Sequence, residues 1–465
     1  MPDDQSAIGA TSAAIAARLD RLPATRSVWT LIALLSLGGF FEFYDLFMTG
    51  GLAPGLVRDG ILTPTTPGLF GTSGIASFVA AFFAGLFVGT LAFSIVADRL
   101  GRRVIFTLSL LWYTAASLVM ATQHDAFGLN LWRFITGIGL GVELVTIDTY
   151  LAELAPRAIR GRAFAANQVI QFCAVPAVAF LSWLLVPRAP FGISGWRYVV
   201  LAGAVGAVAV WLIRRAVPES PRWLAQHGRT DEAEAIVAAL ERRVAAEYGA
   251  PLPAPLAVPP EPARGSLIEA FRPPYAGRTF MLIVFNIFQT VGFYGFSNWV
   301  PQLLISQGIG VTHSLLYTFV IALAAPVGPL LAMLLADRVE RKWLIVGAAG
   351  AVAAFGLLFA QTREAVPLIA LGVCLTLSAN TMSFSFHAYQ TELYPTRIRA
   401  VAVGFVYSWS RLSVVFSAFA IAAFLRGFGT PGVFAFIAGS MAVVMVTIGA
   451  MGPRVNARAL EAISH

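Results

Sequence analysis

Residues 78–103 contain the pattern that decides the fold: Phe78 to Ala97 read FVAAFFAGLFVGTLAFSIVA, and Asp98 to Arg103 follow as DRLGRR. The first part is uncharged and has 20 residues, about the number that an α-helix needs to cross a bilayer. The charged run marks the point where that helix would leave the membrane. Similar apolar blocks recur along the chain, for example over 29–41 and 199–213. They are too long for the strands of a membrane barrel, so the sequence predicts an all-α membrane protein with many spans.

The composition supports the same fold class. The chain has 465 residues, of which 58% are hydrophobic and 12% are charged, and its mean hydropathy is +0.75. Soluble domains carry about 25% charged residues, so a conventional soluble enzyme and a disordered chain are both excluded. The twelve predicted spans cover residues 28–51, 70–97, 104–122, 130–152, 163–186, 197–213, 279–305, 313–336, 343–360, 366–390, 400–425 and 432–452.

The basic residues predict how the spans are oriented. Of the 32 Lys and Arg residues, 25 fall in the terminal segments and loops of one side, five fall on the other side and two lie within spans. Because basic loops stay in the cytoplasm, both termini and the long central loop are expected there, in a multi-pass protein of the cell membrane. The net charge of +8 then reflects topology and not a nucleic-acid surface. No cleavable signal peptide is expected, since residues 1–26 are polar.

The sequence is internally duplicated. At an offset of 239 residues, nine identical residues align, three of them within 98–102 and six within 150–160. We therefore expect two pseudo-symmetric six-helix bundles, an N-terminal one over 1–216 and a C-terminal one with its tail over 278–465. A cytoplasmic linker with short helices, residues 217–277, would join them. Two such halves around a hinge are typical of a rocker-switch transporter.

Several motifs resemble those of the major facilitator superfamily. The loop Asp98–Arg103 resembles the signature between its second and third helices, and Arg133–Gly137 resembles its fourth-helix signature. Glu153–Arg162 and Pro218–Arg222 resemble signatures of the sugar-porter-like branch. That branch includes sugar porters, organic-ion transporters, the synaptic-vesicle-protein-like group with niacin permeases, and aromatic-acid:proton symporters. The resemblance covers essentially the whole chain and implies a twelve-helix transporter.

Charged residues at the cytoplasmic ends of the helices are candidates for a gate. Asp98 is expected to face the positive end of a neighbouring helix, and the arginines of its loop are expected to pair with Glu153, Glu219 or other acids. Such pairs would hold the helix ends together in the outward-open carrier and break when it opens inward. The alternative is that these arginines only set the topology. The gating candidates are Asp98, Arg99, Arg102, Arg103, Glu153, Arg160, Glu219, Arg222, Asp337, Arg338, Glu392 and Arg399.

Ionisable residues inside the spans are candidates for proton coupling, because such groups are costly in a bilayer unless they are paired or hydrated. Phe43-Tyr44-Asp45 resembles the first-helix segment in which proton-coupled sugar porters carry their protonatable aspartate, and the same resemblance makes Arg133 its partner. The alternative for this pair is a static buried salt bridge. Glu143 and Glu42 are further proton-coupling candidates, and Glu42 lies three residues from Asp45 on one helix face. Asp148 is expected to pair with basic loop residues.

Arg411 is the charged candidate for substrate binding. No acid occupies the equivalent position of the first half, and a guanidinium beside aromatic residues suits a carboxylate. The segment Tyr407–Leu412 resembles the eleventh-helix arginine segment of organic-anion and aromatic-acid carriers. The alternative is a packing arginine paired with Glu42 or with a backbone carbonyl. The other substrate-binding candidates are Gln168, Gln171, Asn167, Gln289, Asn286, Tyr294, Asn298, Phe384 and His387.

The polar candidates give two different indications about the substrate. Asn167, Gln168 and Gln289 resemble sugar-porter residues that contact the ligand, with interhelical hydrogen bonding as the alternative for each amide. Residues 383–389, in contrast, lack the Gly-Pro pair and the cavity tryptophan of a sugar porter, and their aromatic side chains favour a flatter ligand. The spacing Gly137-x-x-x-Gly141 predicts close helix packing and not chemistry.

Together these features predict a secondary active transporter that carries a small organic solute with protons by rocker-switch alternating access. An organic or aromatic monocarboxylate is the expected solute. The alternatives are a sugar or polyol:proton symporter, an organic-cation carrier and, in another class, a non-transporting membrane receptor on the same fold. The sequence has no P-loop and no Cys/His metal cluster, so no enzymatic activity, no metal and no cofactor beyond the proton gradient are expected. We expect a functional monomer with no nucleic-acid partner.

Overall fold

The computed structural model describes residues 2–69, 73–214, 217–255, 266–336 and 338–455, except for the side chains of residues 2–10, 92–100, 143–146, 209, 210, 212–214, 336, 396 and 400. Four of the candidates therefore lie outside the described residues. They are Asp337 and the side chains of Asp98, Arg99 and Glu143.

Seventeen α-helices account for most of the described residues, in which the only β-structure is an isolated bridge between Pro67 and Ser73. Short 3₁₀ turns occur at Arg157–Ile159, Pro190–Gly192 and Leu267–Phe271. The α-helices are α1 (Pro2–Asp20), α2 (Arg26–Arg58), α3 (Ile75–Leu100), α4 (Arg102–Ala121), α5 (Ala126–Leu154), α6 (Arg160–Phe172), α7 (Ala174–Leu185), α8 (Gly195–Arg214), α9 (Pro221–Gln226), α10 (Thr230–Tyr248), α11 (Ala276–Ser297), α12 (Val300–Ser306), α13 (Val311–Ala322), α14 (Val327–Ala336), α15 (Arg341–Gln361), α16 (Ala365–Glu392) and α17 (Thr396–Met451).

The helices provide twelve apolar spans. Among the described residues, nine helical segments are long and apolar enough to cross a membrane, and two shorter apolar helices lie over 75–91 and 195–208. One of the nine, residues 397–451, contains two spans because α17 reverses direction at Gly429, where φ is 64°. The predicted all-α polytopic fold is therefore confirmed. We call the end of the bundle that carries Arg102, Arg160 and Arg341 the arginine-rich face, and the other end the opposite face.

Several predicted spans are broken where prolines remove a backbone donor. The span over 163–186 is divided into α6 and α7 at Cys173, because Pro176 cannot donate to the carbonyl one turn earlier. Pro326 lies between α13 and α14, and Pro301 begins α12 just after α11 ends. The predicted loop between the last two spans is reduced to the bend at Gly429.

Glycines bring α3 and α5 into direct backbone contact. A Cβ atom at Gly137 or Gly141 would collide with the carbonyl oxygens of Phe82 and Leu86, and one at Gly85 would collide with that of Phe134. The prediction that Gly137-x-x-x-Gly141 serves close helix packing is confirmed. This packing fixes α5 against α3 and so determines where Arg133 lies.

A separate hydrophobic cluster lies at the arginine-rich face. The sequence predicts only a polar segment over 1–26, yet Pro2–Asp20 form α1, which packs on α9 and α10 of the central loop. Ile15 and Leu19 are 0% and 1% exposed, and they belong to one cluster of buried residues with Trp223 and Val237. We call α1, α9 and α10 the terminal cap.

Candidate substrate and proton sites

Asp45 and Arg133 form an ion pair inside the first six spans. The Arg133 Nη1 atom lies 2.7 Å from Asp45 Oδ1, and Nη2 donates to the Asp45 carbonyl at 2.9 Å and to Thr49 Oγ1 at 2.7 Å. Arg133 is 0% exposed and Asp45 is 5% exposed. The Arg133 guanidinium also lies 3.9 Å from the centre of the Phe82 ring. The pair is thus electrically balanced and closed off from solvent.

A small cavity lies beside the carboxylate of Asp45. It is lined by α2, α4 and α8, including Tyr113, Ser117 and Gly203. Ser117 Oγ donates to Asp45 Oδ2 at 3.4 Å, at the long limit of a hydrogen bond. Among the described residues, one carboxylate oxygen is therefore tightly held by Arg133, whereas the other has only this weak contact.

Arg411 lies between the first six and the last six spans and is held by two tyrosines. Its Nη1 atom donates to Tyr294 Oη and its Nη2 atom donates to Tyr407 Oη, both at 3.0 Å. The guanidinium also lies 4.9 Å from the centre of the Tyr407 ring. Arg411 is only 4% exposed. A hydroxyl that accepts from arginine keeps its own proton to donate, so both tyrosines can offer a hydrogen bond to an anion beside the guanidinium.

Other ionisable groups lie within electrostatic range of this arginine. Glu42 of α2 interacts electrostatically with Arg411 and is 1% exposed. His387 of α16 also interacts electrostatically with Arg411. The His387 ring packs edge-on against Tyr407 with 5.2 Å between centres, and its Nδ1 atom lies 2.7 Å from the Ser383 carbonyl. The structure therefore brings together Glu42, His387 and Arg411 from three helices, although they are far apart in the sequence.

Asp148 is near this cluster and not among the basic loop residues. It is exposed to solvent although it lies within the spanning helix α5, and it interacts electrostatically with Tyr407 of α17. The expectation that Asp148 pairs with loop arginines missed this contact, since the sequence does not show which helix faces α5 here. Its exposed side chain therefore borders open space on this side of the cluster.

The amide candidates are buried, and several of their polar atoms find no partner in the described part of the chain. Asn167 and Asn298 are 0% and 1% exposed, and neither their Nδ2 nor their Oδ1 atoms are hydrogen-bonded there. The Oδ1 atom of Asn286 and the Oε1 atom of Gln289 also have no hydrogen-bond partner among the described residues. Buried amides normally find a partner, so these atoms are suited to bind water or a ligand. Of the remaining candidates, Gln171 is buried, and Gln168 and Phe384 are half-buried.

Aromatic rings close the space between the two halves on the side of the opposite face. Tyr294 lies edge-on to Phe83 at 4.9 Å and stacks on Phe47 at 6.3 Å between centres, while Phe47 also contacts Phe293 at 6.2 Å. We call these four residues the aromatic plug. A cavity adjoins it, lined mainly by apolar side chains of α2, α7, α11, α13 and α16.

The gating candidates of the first half form one network at the arginine-rich face. Arg102 lies 3.3 Å from Glu153, and Glu219 accepts from the backbone amides of Arg102 and Arg103 at 3.0 and 3.1 Å. In the described part of the chain, Arg160 and Arg222 form no short ion pair with these acids, although Arg222 interacts electrostatically with Glu153. Both instead bind Oδ1 of Asp20, at 2.5 and 2.7 Å, and Asp20 was not among the candidates.

The second half repeats part of this network. Arg341 pairs with Glu392, and these two residues are the equivalents of Arg102 and Glu153 at the offset of 239 residues. Arg399 Nε donates to the Tyr394 carbonyl at 3.2 Å, just as Arg160 Nε donates to the Ala155 carbonyl at 3.3 Å. Arg338 is exposed. No ion pair in the described part of the chain joins the first six spans to the last six.

Sequence reasoning missed Asp20 and Tyr407 as contact residues. Tyr407 could have been found, because it precedes Arg411 by four residues and therefore lies on the same helix face. Asp20 gave no such signal, since it lies outside the duplicated region and its partners are about 140 and 200 residues away.

Comparison with known proteins identifies the family. The family model described as "Sugar (and other) transporter" matches residues 31–465. The protein YyaJ of Bacillus subtilis, whose name assigns it to metabolite transport, is 32% identical over 449 residues, which cover 95% of this chain and 96% of YyaJ. The niacin transporter NiaP of Acinetobacter baylyi is 29% identical, with 86% and 87% covered. The arabinose-proton symporter of Bacillus subtilis is 28% identical, with 82% and 84% covered.

A solved structure shares the fold. The xylose transporter XylE of Escherichia coli, in a partially occluded inward-open conformation, superposes with a TM-score of 0.73 over 93% of this chain and 99% of XylE, at 19% identity. With the twelve spans, this agreement makes the fold that of the major facilitator superfamily. The chain belongs to the sugar (and other) transporter family, and it is a membrane transporter and not an enzyme.

Proposed function

We propose that the protein is a proton-coupled symporter of a small organic or aromatic monocarboxylate. The observation that carries this proposal is the Arg411 site, where a buried guanidinium between the two halves is held by two neutral hydroxyls at 3.0 Å. A carboxylate would accept from the remaining N–H groups of the arginine and from the tyrosine hydroxyls. Arginine suits this role because its planar fork matches two carboxylate oxygens.

Glu42 gives this site a way to link the proton to the anion. Its carboxylate interacts with Arg411, so an ionised Glu42 and a bound carboxylate would compete for the same positive charge. Protonation of Glu42 would remove that competition. A proton and an anion would then bind together, which is the thermodynamic requirement of symport.

Asp45 is proposed as the main coupling site, with Arg133 as its partner. Protonation of Asp45 would remove the charge from a 2.7 Å ion pair, while Arg133 would keep its bonds to Thr49 and to the Asp45 carbonyl and its contact with the Phe82 ring. The pair lies on α2 and α5, the helices that also carry Glu42 and Asp148. A proton on Asp45 would thus loosen two helices that line the substrate site.

The relatives support solutes of two kinds. Niacin, named for NiaP, is a planar aromatic monocarboxylate and matches a site built from Arg411 and aromatic rings. The arabinose-proton symporter supports proton coupling and also the second candidate, a neutral sugar or polyol. The observation that favours this second candidate is the set of buried amide atoms at Asn167, Gln289 and Asn298 that lack a partner in the described part of the chain.

The orientation in the membrane is part of the proposal. The excess of arginine at one face places that face in the cytoplasm by the positive-inside rule. Solvent would reach Asp148 from there, while the aromatic plug closes the outer side. The aromatic plug would have to separate for the solute to enter from outside, as alternating access requires.

Ligand binding to the purified full chain tests the substrate class. Thermal unfolding is measured with benzoate and nicotinate, with their amides benzamide and nicotinamide, and with arabinose. We expect the two acids to raise the melting temperature, because a ligand at 100 times its Kd stabilises by about 2.7 kcal/mol, and the amides to have no effect. Counterflow of radiolabelled nicotinate in proteoliposomes then distinguishes transport from binding. Stabilisation by arabinose and not by the acids would favour the sugar candidate and refute the anion proposal.

A further inference from the structure

Two of the arginines among the gating candidates, one in the first half and one in the central loop, share one carboxylate that belongs to the N-terminal helix. Asp20, the last residue of α1, accepts from Arg160 at the start of α6 and from Arg222 in α9, both through Oδ1. The side chains of Asp20, Arg160 and Arg222 are 17%, 33% and 19% exposed, so all three are largely shielded. The carboxylate of Asp20 thus links α1 to α6 and to α9 of the central loop.

The hydrophobic part of the terminal cap holds Asp20 in this position. Leu19 and Leu22, on either side of it, are 1% and 3% exposed and belong to the same cluster as Trp223 of α9 and Leu154 at the end of α5. Farther along, Arg18 and Arg21 both bind Glu241 of α10 at 2.7 Å. Asp20 is therefore a fixed anchor point and not the mobile end of a tail.

The sequence has no acid at the position that corresponds to Asp20 at the offset of 239 residues. Arg399 repeats the backbone contact of Arg160, but the offset of 239 residues places Pro259 opposite Asp20. Contacts between the halves lie instead toward the opposite face, at the aromatic plug and where Arg426 donates to Ser73 Oγ at 3.1 Å. In this conformation the single charge of Asp20 thus binds one arginine of the first half and one of the central loop.

We propose that Asp20 is a gating residue: it holds Arg160 and Arg222 on the first half while the arginine-rich face is open, and it releases them to acids of the second half when that face closes. A carboxylate that binds these arginines in only one conformation shifts the equilibrium toward that conformation. The N-terminal helix then acts as a restraint on closure, built onto one half of a duplicated transporter. The proposal depends on alternating access and not on the identity of the substrate.

Distance measurements across the arginine-rich face test this role without any substrate. Spin labels are attached at two exposed positions, Ala158→Cys and Thr391→Cys, in a full-length chain that also carries Cys173→Ser and Cys374→Ser, and the protein is studied in lipid nanodiscs. We expect Asp20→Asn to raise the ratio of the short-distance to the long-distance population about threefold. Asp20→Glu should restore the original ratio. Asp231→Asn, at an exposed position of α10, is the matched control and should leave the ratio unchanged.

A second variant separates gating from a merely structural role. In Asp20→Asn combined with Arg222→Gln, only Arg160 remains to be released, so the change in the ratio should be smaller than with Asp20→Asn alone. Melting temperatures are measured on the same samples. An unchanged or lower short-distance population in Asp20→Asn, whatever its melting temperature, would overturn the proposal. Since nicotinate is not used, this outcome is independent of the monocarboxylate proposal.

Discussion

The two transmembrane arginines differ in the residues that bind them. Arg133 has a carboxylate at 2.7 Å and aromatic faces around it, whereas Arg411 has two tyrosine hydroxyls at 3.0 Å and the more distant charge of Glu42. Removing one partner of a buried ion pair leaves an uncompensated charge, which costs about 3–5 kcal/mol. An arginine held mainly by hydroxyls can instead take a ligand anion. Because of this difference, we assign proton coupling to the pair of Asp45 and Arg133 and substrate binding to Arg411.

We expect Asp45→Asn to abolish uphill uptake driven by a pH gradient and to leave counterflow partly intact. The amide keeps the shape of the side chain, but it cannot take up or release the proton that links transport to the gradient. Uptake and counterflow of radiolabelled nicotinate in proteoliposomes are the two measurements. Ser117→Ala removes only the 3.4 Å contact to the same carboxylate and is the control that should retain uphill uptake. An Asn variant that still concentrates nicotinate would refute the assignment.

Variants of Arg411 should show that the shape of the cation matters as well as its charge. We expect Arg411→Ala to weaken nicotinate binding about 100-fold, because a buried charged partner of the ligand is lost. Arg411→Lys should weaken it less, about tenfold, since the charge remains but the fork does not. Tyr407→Phe removes one hydroxyl that the guanidinium binds, and it should reduce nicotinate affinity less than either Arg411 variant does. Isothermal titration of the purified variants gives these ratios. Undiminished affinity in Arg411→Ala would contradict the anion site.

At the scale of helices, the sequence predicted the length and polarity of the spans but not where they break. Long apolar blocks identify spans because hydrophobic length must match the bilayer. Breaks at Cys173 and Asn298 follow from Pro176 and Pro301, so the sequence itself contains the signal for both. The meeting of Glu42, His387 and Arg411 could not be predicted from one sequence, since helix rotation decides it.

The packing of α3 on α5 predicts how a single added methyl group changes the stability of the protein. Gly137→Ala would place a Cβ against the Phe82 carbonyl, and we expect it to destabilise the protein by about 1–3 kcal/mol. Gly404→Ala, in a spanning helix where a Cβ meets no atom within 4 Å, is the matched control and should be neutral or slightly stabilising. Unfolding by a denaturing detergent, followed by tryptophan fluorescence, compares the two. Equal stability of the two variants would mean that α3 and α5 can move apart without a loss of stability.

The attachment of α1 to α10 should weaken in acid. Burial alone would raise the pKa of Glu241, but hydrogen bonds from Arg18 and Arg21 outweigh it and hold that pKa below its ordinary value. A carboxylate with a lowered pKa stabilises the docked helix above its undocked pKa, and this contribution is lost as the pH falls through the docked pKa. The protection factor of the α1 amides, which is the intrinsic exchange rate at each pH divided by the observed rate, should therefore fall between about pH 6 and pH 3. In Glu241→Gln, the protection factor should already be lower at pH 6 and should fall less in acid. A wild-type helix with the same protection factor throughout this range would contradict the prediction.

At the scale of the whole molecule, contacts between the halves are concentrated toward one end. Besides the aromatic plug, Phe319 of α13 packs against Phe180 and Trp183 of α7, with 5.3 and 6.3 Å between ring centres. The described ion pairs at the arginine-rich face all join residues of the same half or of the central loop. The duplication in the sequence indicated two similar bodies. It could not indicate at which end they meet, because both ends are possible for a rocking transporter.

Loss of a ring between the halves should therefore open the opposite face, whereas loss of a ring within one half should not. Phe319→Ala removes both contacts to α7, and Phe424→Ala removes a stacking contact with Phe436 at 5.1 Å inside the second half. The two variants lose similar apolar area, so any general loss of stability should be similar in both. Accessibility is reported by Ser182→Cys, a buried position that lines the cavity beside the aromatic plug, in a chain with Cys173→Ser and Cys374→Ser. We expect a membrane-impermeant maleimide added outside the cell to label this cysteine about tenfold faster in Phe319→Ala than in Phe424→Ala, since a few kcal/mol of contact energy separates two populated states. Equal labelling rates would show that the contacts of Phe319 do not hold the opposite face closed.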